Sequence, residues 1–426
     1  MSQRIQSIRG MHDVLPAENA LWHTLERVAQ EVFAAYGYEQ IRVPIMEHTG
    51  LFERGVGDTT DIVEKELYTF EDRGGERMSL RPEGTASVVR AGVQHGLLHN
   101  ATQRLWYVGP MFRYERPQKG RQRQFHQFGV ETFGQTGPDV DVEQIALSAR
   151  LFARLGIRGL RLEINTLGTP AERQIYRDAL HAYFSNHFDA LDADSQRRLD
   201  RNPLRILDSK NPDLAALIAG APTLTDYLGE ESAAHFQGLC DGIKALGIEY
   251  TVNPRLVRGL DYYTRTVFEW LTDDLGAQNA VCSGGRFDGL VEQLGGSATP
   301  ATGFAMGVER VVALMAAQGV AIDDVGPHAY LVHQGDTATG RVTAVAEGLR
   351  DALPWLRLRV HAGGGSFKSQ FKKADRSGAR LALVFGDDEA AADTIQIKPL
   401  TDDREQEVVA RDDAPTRIAA LLSHTD

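Results

Sequence analysis

The pattern of apolar and polar positions is most informative between Leu105 and Phe133. Two runs rich in apolar residues flank a polar, glycine-containing loop, which predicts a β-hairpin with a charged tip. The cationic side chains of the loop are Arg116, Lys119, Arg121 and Arg123. Side chains alternate between the two faces of a strand, so each strand of the hairpin should present one row of residues together. The rows are Phe125, Gln127, Gly129 and Glu131 on the returning strand, and Arg113 and Glu115 on the outgoing strand.

The row on the returning strand is poor material for a hydrophobic core. It combines an aromatic ring, an amide, a glycine and a carboxylate beside a cationic rim. Such a surface suits a ligand with a flat ring, phosphates and an amino group, and we expect an amino acid bound beside ATP. The alternative is a solvated antiparallel hairpin, in which alternating polar residues are ordinary.

Helical spacing of apolar residues over positions 18–36 predicts an amphipathic helix, and Gly37 fits its C-terminus. A short strand, Tyr38–Val43, should follow and end at Pro44. This arrangement is common among protein domains and indicates little by itself.

Two further segments predict elements that would lie near a site. Met78–Arg81 should form a strand that leads through a turn at Pro82–Gly84 into a helix, with Thr85 as its N-cap. Tyr263–Leu271 should form another strand.

The local residue composition along the chain predicts its domain organisation. Helix formers, acidic runs and Asn-Pro pairs dominate from about 168 to 253, which indicates a helical insertion within a sheet domain that spans 1–325. A linker is expected near Ile322–Pro327. Short apolar runs alternate with helical segments over 326–426, which predicts a small α/β domain with a largely parallel sheet.

Composition is that of a globular protein with more than one domain. The chain has 426 residues, 42% of them hydrophobic and 24% charged. The two cysteines, Cys240 and Cys282, lack the spacing of a zinc site and fit a reducing compartment. Neither a signal peptide nor a run of about 20 apolar residues is present, so a cytoplasmic protein that does not span a membrane is expected.

Charge is distributed unevenly along the chain. The net charge of −12 opposes nucleic-acid binding, because phosphate contacts need Lys and Arg. Two basic clusters nevertheless interrupt the acidic background, one over 113–123 and one near the C-terminus. The second cluster consists of Lys368, Lys372, Lys373, Arg376 and Arg380. An acidic protein with such patches can bind RNA locally, and charge alone leaves the question open.

Four separated segments carry a resemblance to a known family. FRYERPQKGRQRQFHQFGVE resembles the second signature motif of class II aminoacyl-tRNA synthetases, in the form found in histidyl-tRNA synthetases. SLRPEGTA resembles a segment that lines the amino-acid pocket of that family, and LVRGLDYYTRTVFEW resembles the segment that distinguishes histidyl enzymes from other class II members. GGRFDGLVEQLGG with ATGFAMGVERVVAL resembles the third class II motif, and Arg310 should fall in the opening turn of its helix.

The resemblance implies a fold of mixed α/β class with an α+β catalytic domain. It implies a class II synthetase-like antiparallel sheet flanked by helices, a helical insertion, and a C-terminal α/β domain of the anticodon-binding type. GGSFKSQFKKADRSGARLALVFGDDE is the stretch most similar to that last domain. The helix and strand over 18–44 resemble the first class II motif, which implies a homodimer.

The resemblance also implies roles for individual residues. Arg258 and Arg113 would be catalytic. The residues that would bind L-histidine are Glu83, Thr85, Arg113, Gln127, Glu131, Arg258, Tyr262 and Tyr263. The residues that would bind ATP are Arg113, Glu115, Arg121, Phe125 and Arg310. Arg116 and Gln118 would contact the acceptor end of tRNA(His). Mg²⁺ would accompany ATP as a substrate, and no metal held tightly by the protein is expected.

Two features qualify the resemblance. Phe287 stands where histidyl enzymes commonly have tyrosine, so one polar contact near the substrate ring is in doubt. The alternative function is a non-catalytic relative, the regulatory subunit of ATP phosphoribosyltransferase, which typically lacks the anticodon domain and some motif residues. A third possibility is an RNA-binding or signalling module built on the same fold, which would need no intact set of arginines. All four motif residues are present and a basic C-terminal domain follows, which favours the enzyme; the four are Arg113, Glu131, Arg258 and Arg310.

Overall fold

The computed structural model describes residues 4–57, 60–118, 120–207, 209, 211–276, 279–322 and 325–423. Contacts within the chain divide it into two units, Met1–Asp323 and Asp324–Asp426. No helix in these described ranges combines the length and apolar character that a membrane crossing needs.

The first unit combines helices with two sheets. Its helices are α1 Asn19–Ala35, α2 Thr49–Val56, α3 Thr85–Gln94, α4 Pro138–Arg154, α5 Pro170–Ser185, α6 Ala193–Arg201, α7 Ala215–Ala219, α8 Glu230–Ala245, α9 Leu290–Gln293 and α10 Val308–Ala317. Its strands are β1 Glu39–Gln40, β2 Met46–His48, β3 Tyr68–Glu71, β4 Arg77–Leu80, β5 Gln103–Phe112, β6 Gln124–Phe133, β7 Arg161–Thr166, β8 Tyr250–Val252, β9 Thr264–Leu271, β10 Ala280–Arg286 and β11 Ala301–Gly307.

The large sheet of this unit runs in the order β1-β5-β6-β11-β10-β9-β7-β8. Neighbours from β5 to β7 are antiparallel, and the two edge pairs, β1 with β5 and β7 with β8, are parallel. One face is covered by α1, α4, α8 and α10 through a continuous apolar core that includes Phe33, Leu147, Ile243 and Val311. The expected antiparallel sheet flanked by helices is therefore confirmed, with a parallel strand added at each edge.

The β5–β6 hairpin is present, and its strands pair from Gln103 with Phe133 to Phe112 with Gln124. The outgoing strand ends at Phe112, so the prediction that Arg113 and Glu115 share a strand face is wrong. A tight turn explains the difference, because the backbone N–H of Glu115 donates to the carbonyl oxygen of Arg113 at 2.8 Å.

Two local predictions need correction. The strand expected over Tyr38–Val43 is limited to β1, which pairs with Leu105 and Trp106 of β5. Thr85 is the first residue of α3 rather than its N-cap. The Glu83 carboxylate satisfies the free N–H groups of that helix end, accepting from the backbone of Thr85 at 2.7 Å and of Ala86 at 2.9 Å. The Thr85 hydroxyl is consequently available for another partner.

The helical segment after β7 has two parts. Helices α5 to α7 enclose their own apolar core, which includes Tyr176, Phe184 and Leu214. Helix α8 instead packs against α4, and its Leu239 joins the core beneath the large sheet. We call residues 169–229 the helical cluster, because they form the part with a separate core.

The second unit has a five-stranded sheet with helices. Its helices are α11 Asp336–Ala352, α12 Phe367–Arg376, α13 Asp387–Ala392 and α14 Ala414–Ser423. Its strands are β12 Ala329–Gln334, β13 Leu358–Val360, β14 Leu381–Gly386, β15 Thr394–Pro399 and β16 Glu407–Ala410, in the order β13-β12-β14-β15-β16.

This sheet is mixed rather than largely parallel. The pairs of β12 with β13 and β14 are parallel, whereas β14–β15 and β15–β16 are antiparallel. Only the six-residue helix α13 separates β14 from β15. A parallel neighbour needs a crossover of about a dozen residues or more, so the chain returns antiparallel. The turn is completed by Asp393, whose φ of 53° lies in the left-handed region.

Candidate active site

A cavity of about 550 Å³ lies on the face of the large sheet opposite the helical core. Its floor includes Gln127 of β6, Glu269 of β9, Ser283 of β10 and Ala305 of β11, which point to one side through the alternation of the strands. Most of the residues predicted for the site line this one cavity. They are Glu83, Thr85, Arg113, Glu115, Arg121, Phe125, Gln127, Arg258, Tyr262, Tyr263 and Arg310.

Partly buried arginines occupy one end of the cavity. The Nε of Arg113 donates to the carbonyl oxygen of Pro82 at 2.9 Å, and its guanidinium lies 5.2 Å from the centre of the Phe125 ring. Arg310, in the first turn of α10, donates to the carbonyl oxygens of Ala280 at 2.6 Å and Gly120 at 3.1 Å. Burial lowers the pKa of both guanidinium groups, which reflects the cost of a desolvated cation and favours an anionic ligand.

Arg258 lies between the two ends of the cavity. It forms an ion pair with Glu269, and its guanidinium lies 5.5 Å from the centre of the Tyr263 ring. Burial alone would lower the pKa of Arg258, but Tyr263 and Glu269 together raise it. Its Nε is buried and has no hydrogen-bond partner among the described residues, as is also true of Oε1 of Gln127. Two unpaired polar atoms at one cavity indicate places for a polar ligand.

The other end of the cavity is built from carboxylates and hydroxyl groups. Glu83 lies in the cavity wall, and burial raises its pKa although the backbone N–H groups of α3 oppose this. The Thr85 hydroxyl donates to Oε1 of Glu131 at 2.7 Å, and the Tyr107 hydroxyl donates to the same oxygen at 3.5 Å. Burial raises the pKa of Glu131 well above its usual range. Glu131 itself is 1% exposed and lies behind Thr85, outside the residues that line the cavity.

Glycines make the room that these groups need. Tyr107 lies opposite Gly129 in the β5–β6 pairing, and a Cβ at Gly129 or Gly84 would overlap the Tyr107 ring. A Cβ at Gly303 would overlap the Glu131 carboxylate in the same way. Gly129 therefore makes room for the Tyr107 ring on the neighbouring strand.

An aromatic cluster closes this end of the cavity. The rings of Tyr262 and Tyr263 lie 4.7 Å apart, and Phe287 packs beneath them at 5.6 Å and 6.5 Å. Phe287 is 1% exposed and also contacts Phe133. It supports the two tyrosines from below and does not line the cavity.

The arginine side chains at the hairpin tip point in two different directions. Arg121 faces the cavity and forms an ion pair with Glu115 at 3.1 Å. Arg123 turns away, with its guanidinium 4.0 Å from the centre of the Tyr114 ring. Arg116 and Gln118 are exposed, and Lys119 lies outside the described residues. Only part of the predicted cationic rim thus faces the site.

Several residues at the site were not predicted from the sequence. They are Tyr107, Glu269, and Arg198 and Arg205 of the helical cluster, of which the last three line the cavity. Tyr107 could have been found from the register of the hairpin, since it faces Gly129 directly. The two arginines carry no local sequence signal. Within the described ranges, no group of three or more His, Cys, Asp or Glu side chains is placed to hold a metal ion.

Comparisons with known proteins agree with this geometry. A model of the histidyl-tRNA synthetase family matches residues 10–311, and a model of the anticodon-binding domain matches residues 321–421. The crystal structure of apo S. aureus histidyl-tRNA synthetase is 35% identical with a TM-score of 0.82, covering 97% of this chain and 100% of that one.

Two other structures are similar in fold. The histidyl-tRNA synthetase from a Nostoc species is 20% identical with a TM-score of 0.71, covering 98% of this chain and 100% of that one. A protein from Bacillus halodurans described as an ATP phosphoribosyltransferase regulatory subunit/histidyl-tRNA synthetase is 22% identical with a TM-score of 0.62, covering 88% of this chain and 97% of that one.

The antiparallel sheet, its long hairpin and the arginine-lined cavity above it are those of a class II aminoacyl-tRNA synthetase fold. The chain belongs to the histidyl-tRNA synthetase family, with an anticodon-binding domain at its C-terminus. Family and fold together support an aminoacyl-tRNA synthetase function.

Proposed function

We propose that the protein is a histidine–tRNA ligase. It would activate L-histidine with ATP to histidyl-adenylate and then transfer histidine to the 3′ end of tRNA(His). The observation that carries this proposal is the convergence of Arg113, Arg258 and Arg310 with Glu83 and the tyrosine pair around one cavity. A cavity with cations at one end and buried carboxylates at the other suits a nucleotide beside an amino acid.

In the first step, the carboxylate of histidine would attack the α-phosphorus of ATP. A carbon–oxygen–phosphorus linkage forms and pyrophosphate leaves. Arg258 and Arg113 would neutralise the charge that develops on the phosphate oxygens, and Arg121 and Arg310 would hold the outer phosphates. The ring of Phe125, already stacked against Arg113, would contact adenine. In the second step, a ribose hydroxyl of the tRNA end attacks the activated carbonyl, and AMP leaves.

The amino-acid end would select histidine through hydrogen bonds. Glu83, Thr85 and Gln127 would receive the ammonium group, and Glu131 and Tyr263 would bind the imidazole nitrogens with Tyr262 beside them. Buried groups left without their partners cost about 1–3 kcal/mol each, which would reject amino acids without a ring donor. For Glu131, this requires the Thr85 side chain to move aside or share the carboxylate.

Mg²⁺ would enter as the companion of ATP. Two carboxylates of the cavity, Glu115 and Glu269, are each paired with an arginine. A metal ion brought by the phosphates is therefore a better fit than one held by the protein alone. Its contribution would be to neutralise phosphate charge.

Exposed basic groups support contact with RNA. Arg116 and Gln118 at the hairpin tip would contact the acceptor end. In the second unit, α12 presents the exposed side chains of Lys368, Lys372 and Arg376 as a basic surface. We also propose a homodimer formed through α1 and β1.

Exchange of pyrophosphate into ATP tests the proposal, with histidine as the required amino acid. We expect exchange by the unaltered protein and a loss of about 10²–10³ in kcat for Arg258→Gln, because a group that stabilises the transition state is removed. Arg161→Gln is the control, since Arg161 is a half-exposed arginine of β7 paired with Asp273 outside the cavity. Absence of histidine-dependent exchange by the unaltered protein would favour the regulatory alternative.

A further inference from the structure

The segment that carries the tyrosine pair is held by the helical cluster. Arg173 of α5 donates from Nη2 to the carbonyl oxygen of Tyr263. The Nε of Arg173 is buried and has no hydrogen-bond partner among the residues that the structure describes. Asp261, two residues before Tyr263, acts electrostatically to stabilise this cation against the cost of burial. The Arg173 guanidinium thus interacts with both ends of the segment 261–263.

The next contact lies at Arg265, two residues after Tyr263. Its φ of 49° is in the left-handed region, which is unfavourable for a residue with a side chain. Its backbone N–H donates to the carbonyl oxygen of Gly168 at 2.8 Å, and its carbonyl oxygen accepts from Leu167 at 2.7 Å. Its side chain pairs with Glu231 at 2.6 Å. Arg265 therefore touches the chain on both sides of the helical cluster.

Glu172 fastens those two sides to each other. Its carboxylate accepts from the backbone of Thr169 at 2.6 Å, from the backbone of Gly229 at 2.6 Å and from the hydroxyl of Ser232 at 2.8 Å. The beginning and the end of the helical cluster are consequently joined next to the start of β9. A displacement of the cluster would pull on Tyr263 through Arg173.

We propose that Arg173 is a positioning residue for histidine binding, acting through Tyr263. This inference rests on the proposed function. Arg173 does not line the cavity, so it would act on the substrate only through the residues it holds. The Tyr263 ring packs on Tyr262 and beneath Arg258, at the amino-acid end. Loss of the contact should therefore weaken histidine binding and leave ATP binding nearly unchanged.

Steady-state pyrophosphate exchange with Arg173→Gln tests this inference. We expect the KM for histidine to rise about tenfold, with kcat and the KM for ATP within about twofold, since one charge-assisted hydrogen bond is lost. Arg173→Lys keeps a positive charge and a hydrogen-bond donor group but loses the planar guanidinium, and should give an intermediate rise of about threefold. Arg177→Gln is the matched control, because Arg177 lies on the same helix and donates to the backbone carbonyl oxygen of Arg201 inside the helical cluster.

The split between the two KM values separates positioning from loss of folded protein, which would lower apparent kcat alone. An unchanged KM for histidine in Arg173→Gln, or an equal rise in both KM values, overturns the inference. If Arg173→Gln does not fold, Arg173→Lys decides in the same way. If the unaltered protein shows no exchange, the proposed function fails, and histidine affinity measured by calorimetry on the same variants still tests the role of Arg173.

Discussion

The two ends of the cavity are constructed differently. At the proposed amino-acid end, Glu83, Glu131 and Tyr107 are buried. Glu131 accepts from Thr85 and Tyr107, and both Glu131 and Tyr107 occupy space left by glycines. At the nucleotide end, Arg121 and Glu115 lie on a loop, and the Arg121 side chain is 42% exposed. A preformed pocket selects a small ligand by shape and unpaired polar groups, whereas partly exposed cations on a loop would accommodate the proposed ATP with its Mg²⁺. Substitutions should therefore be costly at one end and tolerated at the other.

The largest effect should come from filling the space at Gly129. In Gly129→Ala the new methyl group would overlap the Tyr107 ring, which is held on its other side by Gly84. Overpacking of a buried site typically costs about 1–3 kcal/mol, so we expect the midpoint of thermal unfolding to fall by about 2–4 °C. The KM for histidine should rise as well, because the Tyr107 hydroxyl can no longer reach Glu131.

Gly289→Ala provides the control for that experiment, since a Cβ there meets no atom within 4 Å. It should leave the unfolding midpoint and both KM values unchanged. If Gly129→Ala melts with the unaltered protein, the amino-acid end is looser than its packing indicates.

A second, smaller effect concerns pH. Burial raises the pKa of Glu131 well above its usual value of 4.5, so the folded chain keeps this proton after the unfolded chain has released it. The stabilising contribution of the protonated form is complete below pH 4.5 and is lost as the pH rises through the folded-state pKa. Relative to Glu131→Gln, the unaltered protein should lose up to about 1.4 kcal/mol of unfolding free energy per pH unit between pH 4.5 and the folded-state pKa of Glu131, and no more above that pKa.

Denaturant unfolding of both proteins from pH 4.5 upward measures this difference. Asp141 titrates in both proteins and is not among the groups that shift Glu131, so its contribution cancels in the comparison. Parallel stability curves would show that Glu131 is ionised in the folded protein throughout that range.

Sequence pattern predicted much of the site because its residues come in short motifs. Strand alternation placed Gln127 and Glu131 on one face of β6, and the third motif placed Arg310 in the first turn of α10. The same reasoning failed where the outcome depends on partners distant in the chain. Tyr107 faces Gly129 only because of the hairpin register, and Arg198 reaches the cavity only because the helical cluster folds back toward it.

Errors in local structure had a common cause. A threonine before a helix predicts an N-cap, but here the Glu83 carboxylate accepts from the free backbone N–H groups at the start of α3. Alternating strands and helices over 326–426 predicted parallel pairing, but the short connection through α13 permits only an antiparallel return. Residue propensities do not include the competing carboxylate in the first case or the length of the connection in the second, and these determined the structure.

The smallest effect should appear at the nucleotide end, in Arg121→Gln. The Arg121 side chain is partly exposed, so an ion pair between it and a phosphate of ATP should contribute at most about 1 kcal/mol. Removal of the Arg121 charge should therefore raise the KM for ATP about three- to fivefold. The KM for histidine and the unfolding midpoint should stay constant, because the ion pair that the structure describes for the Arg121 side chain is with Glu115 of the same loop. Raising the ionic strength should shrink the difference between the two proteins, since salt screens exposed charges. An equal rise in the KM for histidine would mean that the two ends are coupled through the hairpin, and the contrast between a fixed and an adaptable end would no longer hold.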